Sequence, residues 1–168
     1  MRKILLLLCL ALSLFALQND KDMLSGELKN GLKYYIKENK LPQNTAIFYL
    51  VVNSGSTDER EGEQGLAHFL EHMAFNGSRD FSKNELIKQL ESLGVKFGAD
   101  LNAQTSYDQT SYTLSINVNE KNLKDVFKVF SNWIDGVKID AGELDKERGV
   151  IMEEERQRNT PAYRLYLA

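Results

Sequence analysis

The sequence predicts an α+β fold, a mainly antiparallel sheet with helices packed on it. Three observations predict it. An Asn30-Gly31 pair sits between two strand-like segments, a strong signal for a hairpin. Residues Thr110 to Val118 alternate Tyr112, Leu114, Ile116 and Val118 with Thr113, Ser115 and Asn117, as a strand with one packed face does. Residues 120–135 carry Leu123, Val126, Phe127, Phe130, Trp133 and Ile134 at helical spacing, and a second helical stretch starts near Ala141.

The elements follow in order. Residues 1–16 read as a signal peptide: Met1-Arg2-Lys3 is basic, and the apolar run that follows is shorter than the roughly 20 residues that span a bilayer. That start predicts a periplasmic or secreted bacterial protein whose mature part, residues 17–168, forms one domain. The only cysteine, Cys9, would leave with the leader, so no disulfide or thiolate ligand is expected. Strands are expected over Leu28-Lys29 and Leu32 to Lys37, and over Thr45 to Val52 (TAIFYLVV), the latter as a buried strand. The polar run DEREGE within Asn53 to Gly65 reads as a solvated loop. A helix over 65–76 ends at Asn76-Gly77. Ser82 and Glu85 form a capping box that opens a helix to Leu93, where Gly94 stops it. Val95 to Thr105 reads as a strand paired with Thr110 to Val118.

The helix over 65–76 holds His68-Phe69-Leu70-Glu71-His72, with both histidines of the chain. Two histidines placed at random in 168 positions fall four apart about 1% of the time. At that spacing both imidazoles share one helical face, and Glu71 falls on the same side. Two imidazoles suit zinc, and a carboxylate beside them suits a base acting on a metal-bound water. The order His-x-x-Glu-His is the inverzincin signature. A solvated polar face opposite a core face of Leu66, Phe69, Leu70 and Met73 would explain the polarity, though not why that face takes both histidines.

Catalytic zinc needs a third protein ligand and an open fourth position. With no other His and no mature Cys, that ligand must be a carboxylate. On the helix from Ala141, Leu144, Val150 and Ile151 define the packed side. Glu147 and Glu154, two turns apart, fall on that side, Glu155 borders it and Glu153 faces away. Periodicity rejects Glu153 and leaves Glu154 and Glu155 both open.

Three segments, GLAHFLEHMAFNGS (65–78), NELIKQLESLGVKFGADLNAQTSYDQTSY (84–112) and ELDKERGVIMEEERQR (143–158), resemble in order the conserved blocks of the pitrilysin/insulysin family, which includes the mitochondrial processing peptidases. The nearest likeness is to its bacterial periplasmic PqqL-like subgroup. The resemblance implies a zinc endopeptidase acting on extended peptides. It makes His68 and His72 zinc ligands and Glu71 the general base on a zinc-bound water. The third ligand lies seven residues after the Glu of a Glu-Arg pair, here Glu147-Arg148, which selects Glu154. Glu147 becomes a catalytic-site carboxylate beside the metal, and Asn102 and Ala103 become substrate-binding residues on an edge strand. Family members also pair this half with a second, similar half. The chain stops at Ala168 as a cut through a longer protein would, so it is expected to carry all three ligands without a complete active site, and to need that second half or an equivalent partner.

Composition narrows the alternatives. A formal charge of −3, without a basic patch, argues against nucleic acid as a partner, and no membrane association is expected once the leader is removed. S-ribosylhomocysteine lyase also uses His-x-x-Glu-His, but takes a Cys ligand and is cytosolic, which the expected leader and the missing mature Cys oppose. A non-catalytic metal-binding paralogue or fragment, acting as a binding partner, is the other alternative; a complete ligand set opposes it.

Overall fold

The computed structural model describes residues 20–167, so the signal-peptide reading of residues 1–16, with Cys9, lies outside the described residues. None of the described helices is long and apolar enough to cross a membrane. The described residues divide into two compact units, 20–43 and 44–167.

In the first unit, β1 (Met23–Glu27) and β2 (Lys33–Lys37) form an antiparallel hairpin. The Asn-Gly turn is where the sequence predicts it, but the first strand lies before Leu28 rather than on it. Leu28 N–H donates to the Leu32 carbonyl and Asn30 Oδ1 accepts from Leu32 N–H, so residues 28–32 form the loop and Gly31 takes the left-handed φ of 87°.

The second unit contains an antiparallel sheet in the order β3-β5-β4, from β3 (Thr45–Val52), β4 (Leu101–Thr105) and β5 (Thr110–Asn117). The central strand β5 buries Tyr112, Leu114 and Ile116 on one face, as its alternation predicts, whereas Val118 lies past its end and is exposed. The strand β3 spans its expected residues but is not buried throughout. Leu50 is buried and Phe48 partly so, whereas Ile47, Tyr49 and Val51 are exposed, because β3 is an edge strand packed on one side only. The predicted strand from Val95 begins only at Leu101. Asp100 turns the chain back on Lys96, its carboxylate accepting from Lys96 N–H and its own N–H donating to the Lys96 carbonyl, with Gly98 at φ 83°.

The helices are α1 (Leu66–Met73), α2 (Lys83–Ser92), α3 (Glu120–Asp135), α4 (Ala141–Arg158) and the short α5 (Pro161–Leu167). The capping box predicted for α2 is present: Ser82 Oγ accepts from Glu85 N–H and Glu85 accepts from Ser82 N–H. The inner sheet face packs against Leu86 and Leu90 of α2 and Val126, Val129, Phe130 and Trp133 of α3. Phe127 and Ile134, expected in this core, are exposed, since the buried stripe of α3 runs one position off theirs through Val129 and Asn132. Asn132 is fully buried because its amide accepts from Asp80 N–H and donates to the Asp80 carboxylate and the Lys128 carbonyl. Trp133 stacks on Tyr112 at 5.1 Å and donates from Nε1 to the Ala74 carbonyl, which ties the end of α1 to α3.

Two features fix α1. Glu59, part of the acidic run read as a solvated loop, accepts hydrogen bonds of 2.8 Å from Gly65 and Ala67 N–H and so neutralises the open N-terminus of the helix. The rotation of α1 splits the expected core face: Met73 is buried and Phe69 half-buried, whereas Leu66 and Leu70 are exposed and Glu71 is buried in their place. The polar side of α1 faces β4, β5 and α4.

Candidate active site

The inward polar face of α1 meets a matching face of α4. Leu144, Glu147, Ile151 and Glu154 form the half-buried stripe of α4, while Val150, placed on the packed side by periodicity, is exposed. Glu155 is exposed, and Glu153 is exposed and paired with Arg156 at 2.8 Å.

His68 and His72 stand one turn apart with their Nε2 atoms 3.2 Å from each other. Glu154 Oε2 lies 3.6 Å from His68 Nε2 and 3.7 Å from His72 Nε2. Ligand atoms about 2.0–2.2 Å from a tetrahedral zinc ion lie about 3.3–3.6 Å from one another. The three atoms therefore nearly fit such an ion, and among the described residues they form a group able to hold a metal. Their chemistry, two imidazoles and one carboxylate, suits zinc.

The protonation of the histidines fits as well. His72 Nδ1 lies 2.7 Å from Glu147 Oε1, and Glu147 Oε2 accepts from Asn76 Nδ2 at 2.7 Å. An ionised carboxylate only accepts, so His72 carries its proton on Nδ1 and presents the Nε2 lone pair to the site. Burial would raise the pKa of Glu147, but the hydrogen bonds from His72 and Asn76, helped by the Lys83 charge, hold it below the ordinary value. Burial, and then the neighbouring His72, lower the pKa of His68 against the opposing charges of Glu71 and Glu154, which favours the neutral form a metal needs.

Glu71 lies on the same face of α1, only 7% exposed. Its Oε2 accepts from Thr105 Oγ1 at 2.6 Å. Burial, and then the Glu71 charge, raise the pKa of the neighbouring Tyr112 phenol. A cleft of about 400 Å³ opens beside this group, bordered by Glu71, His72, Phe75, Phe97, Ala103 and Glu147. Asn102 and Ala103 also meet it from β4, an edge strand of the sheet. They alternate, with Ala103 half-buried on the inner face and Asn102 exposed.

The structure thus brings His68, Glu71, His72, Glu147 and Glu154 together, with Asn102 and Ala103 along the adjoining cleft. Sequence reasoning missed Asn76 and Thr105. Asn76 reads as a helix-ending residue, and only its place one turn after His72 hints at more. Thr105 shares the inward register of Leu101 and Ala103 on β4, the one signal that could have found it.

The model of the insulinase family, peptidase family M16, matches residues 34–166. The chain belongs to that family. Among M16 relatives, it is 41% identical over 150 residues to the probable zinc protease PqqL of Escherichia coli, an alignment covering 89% of this chain and 16% of the relative. It is 35% identical over 133 residues to the β subunit of the bovine mitochondrial-processing peptidase, covering 79% of this chain and 26% of the subunit. It superposes on the crystal structure of the first half of the periplasmic protease PqqL from E. coli with a TM-score of 0.86 and 40% identity, over 91% of this chain and 33% of that one. The chain therefore spans about a sixth of the length of full PqqL and falls within its first half. The antiparallel sheet with packed helices is the fold of M16 halves.

One expectation follows from the Glu147 bridge. Glu147→Gln removes the charged partner of His72 Nδ1, while leaving the three atoms able to hold a metal in place. Zinc affinity should fall about 10–100-fold, read by competition with a chromophoric chelator. Unchanged affinity would show that the hydrogen bond to His72 Nδ1 does not support the site.

Proposed function

We propose that the chain carries the zinc site of a metalloendopeptidase that hydrolyses extended peptides. The observation that carries this reading is the approach of His68 Nε2, His72 Nε2 and Glu154 Oε2 to within 3.2–3.7 Å of one another, beside a buried carboxylate on the same helix. In this reading His68, His72 and Glu154 hold zinc. When bound, zinc supplies a Lewis acid and lowers the pKa of water. Glu71 takes a proton from the attacking water and returns it to the departing amine. Glu147 orients His72 and fixes its tautomer. A peptide lies as an added strand along β4 at Asn102 and Ala103, which selects backbone conformation more than side-chain identity.

Residues 17–168 would form the N-terminal, zinc-binding part of a longer peptidase, directed to the periplasm by residues 1–16, with further sequence or a partner completing the active site. Family membership and the periplasmic PqqL relative support this reading. Its test is turnover of an unstructured peptide by the full-length protein. Chelation should abolish turnover and stoichiometric zinc should restore it. Turnover indifferent to chelation would rule out the metal, and no turnover by the zinc-loaded full-length protein would leave metal binding without peptidase function.

A further inference from the structure

We propose that Thr105 is the positioning residue for Glu71, holding one carboxylate oxygen so that the other is presented to the cleft beside the histidines. The inference rests on the peptidase reading and adds a residue to it.

The contact is short and directional. Thr105 Oγ1 stands 2.6 Å from Glu71 Oε2, within the range of a hydroxyl donating to a charged carboxylate. Among the described residues, no other group hydrogen-bonds that carboxylate. The proton of Thr105 is free for the task. Thr110 Oγ1, its neighbour at 3.4 Å, donates to the Ser54 carbonyl at 3.0 Å, and an ionised carboxylate can only accept.

The donor is itself held firmly. Thr105 is β-branched, so its side chain has few rotamers. It ends β4 opposite Thr110 in the ladder with β5. The turn that follows is closed by Ser106 N–H on the Gln109 carbonyl at 2.8 Å. The loop after β3 clamps the same turn: Ser56 N–H donates to the Ser106 carbonyl at 3.1 Å and Thr57 N–H to the Tyr107 carbonyl at 2.8 Å. At Gly55 the two segments pass so closely that a Cβ would lie 2.4 Å from the Ser106 carbonyl oxygen. A stiff donor on a clamped strand end can fix a carboxylate that α1 alone would leave to rotate about its side-chain torsions.

A hydroxyl could instead merely satisfy a buried carboxylate, and the test separates the two roles. In the zinc-loaded full-length protein, Thr105→Val should lower kcat for an unstructured peptide about 10–100-fold, with KM and zinc content unchanged. Thr105→Ser, which keeps the donor, should recover most of that loss. Crystal structures should show one orientation of the Glu71 carboxylate in wild type and Thr105→Ser, and more than one in Thr105→Val. Wild-type kcat in Thr105→Val, an equal loss in Thr105→Ser, or an unmoved Glu71 in Thr105→Val would each overturn the proposal. If Thr105→Val and Thr105→Ala both unfold or lose zinc, Thr105 belongs to the fold and the proposal fails. If wild type cleaves nothing, the peptidase reading fails, and the orientation of Glu71 alone decides the role of Thr105.

Discussion

Glu71→Gln should keep stoichiometric zinc and lower peptide turnover about 10²–10⁴-fold, the usual contribution of a positioned general base. That is roughly 3–5 kcal/mol of barrier. Glutamine keeps the shape of the side chain and an oxygen able to accept from Thr105, so the packing of α1 against β4 should survive. It has no basic oxygen to take a proton. The proposed metal-binding atoms, contributed by His68, His72 and Glu154, are untouched. Zinc analysis and turnover on the same full-length sample therefore separate base from ligand. Near-normal turnover with full zinc would remove Glu71 from the mechanism, and loss of zinc would make its carboxylate part of the metal site.

The features legible in the sequence were local ones. The Asn-Gly turn, the Ser82–Glu85 capping box and the alternation along β5 each depend on residues a few positions apart, and each stands where it was read. Periodicity also showed that α1 has an apolar and a polar side, but not which side turns inward. The usual assumption that the apolar side does so holds here for Met73 only, because the polar side of α1 packs on α4, where carboxylates and imidazoles satisfy one another. Leu66 and Leu70 therefore belong by periodicity to a core they do not enter. The same limit applied to β3, whose apolar residues on both faces read as full burial although it lies at the sheet edge.

Contacts between distant residues were less legible. The bond from Thr105 to Glu71 joins positions 34 apart, and that from Asn76 to Glu147 joins positions 71 apart. No short-range pattern encodes either. Periodicity on α4 narrowed the acidic cluster but left Glu155 beside Glu154. The choice between them came from the family likeness, and the geometry brings the Glu154 carboxylate to the histidine pair.

The second large effect falls on the proposed metal-binding residues. His72→Ala and Glu154→Ala should both lose stoichiometric zinc and, with it, peptide turnover. Their effects on the fold should differ. The Glu154 side chain is 36% exposed and its removal strands no buried partner. His72 removal leaves the Glu147 carboxylate, 13% exposed, without its hydrogen-bonded imidazole. Asn76 still donates to it, but the loss of its other hydrogen bond by a largely buried carboxylate costs on the order of 1–3 kcal/mol, so His72→Ala should also melt at a lower temperature than Glu154→Ala in the metal-free state. Equal melting temperatures would mean that the His72–Glu147 contact adds nothing to the fold.

The central claim is that zinc is held where α1 meets α4. Anomalous scattering at the zinc edge, from a crystal of the zinc-loaded full-length protein, tests it most directly. The expected result is one ion bonded to Nε2 of His68, Nε2 of His72 and a carboxylate oxygen of Glu154 at about 2.0–2.2 Å. An ion held through Glu155 in place of Glu154, or no zinc at the two histidines, would contradict it.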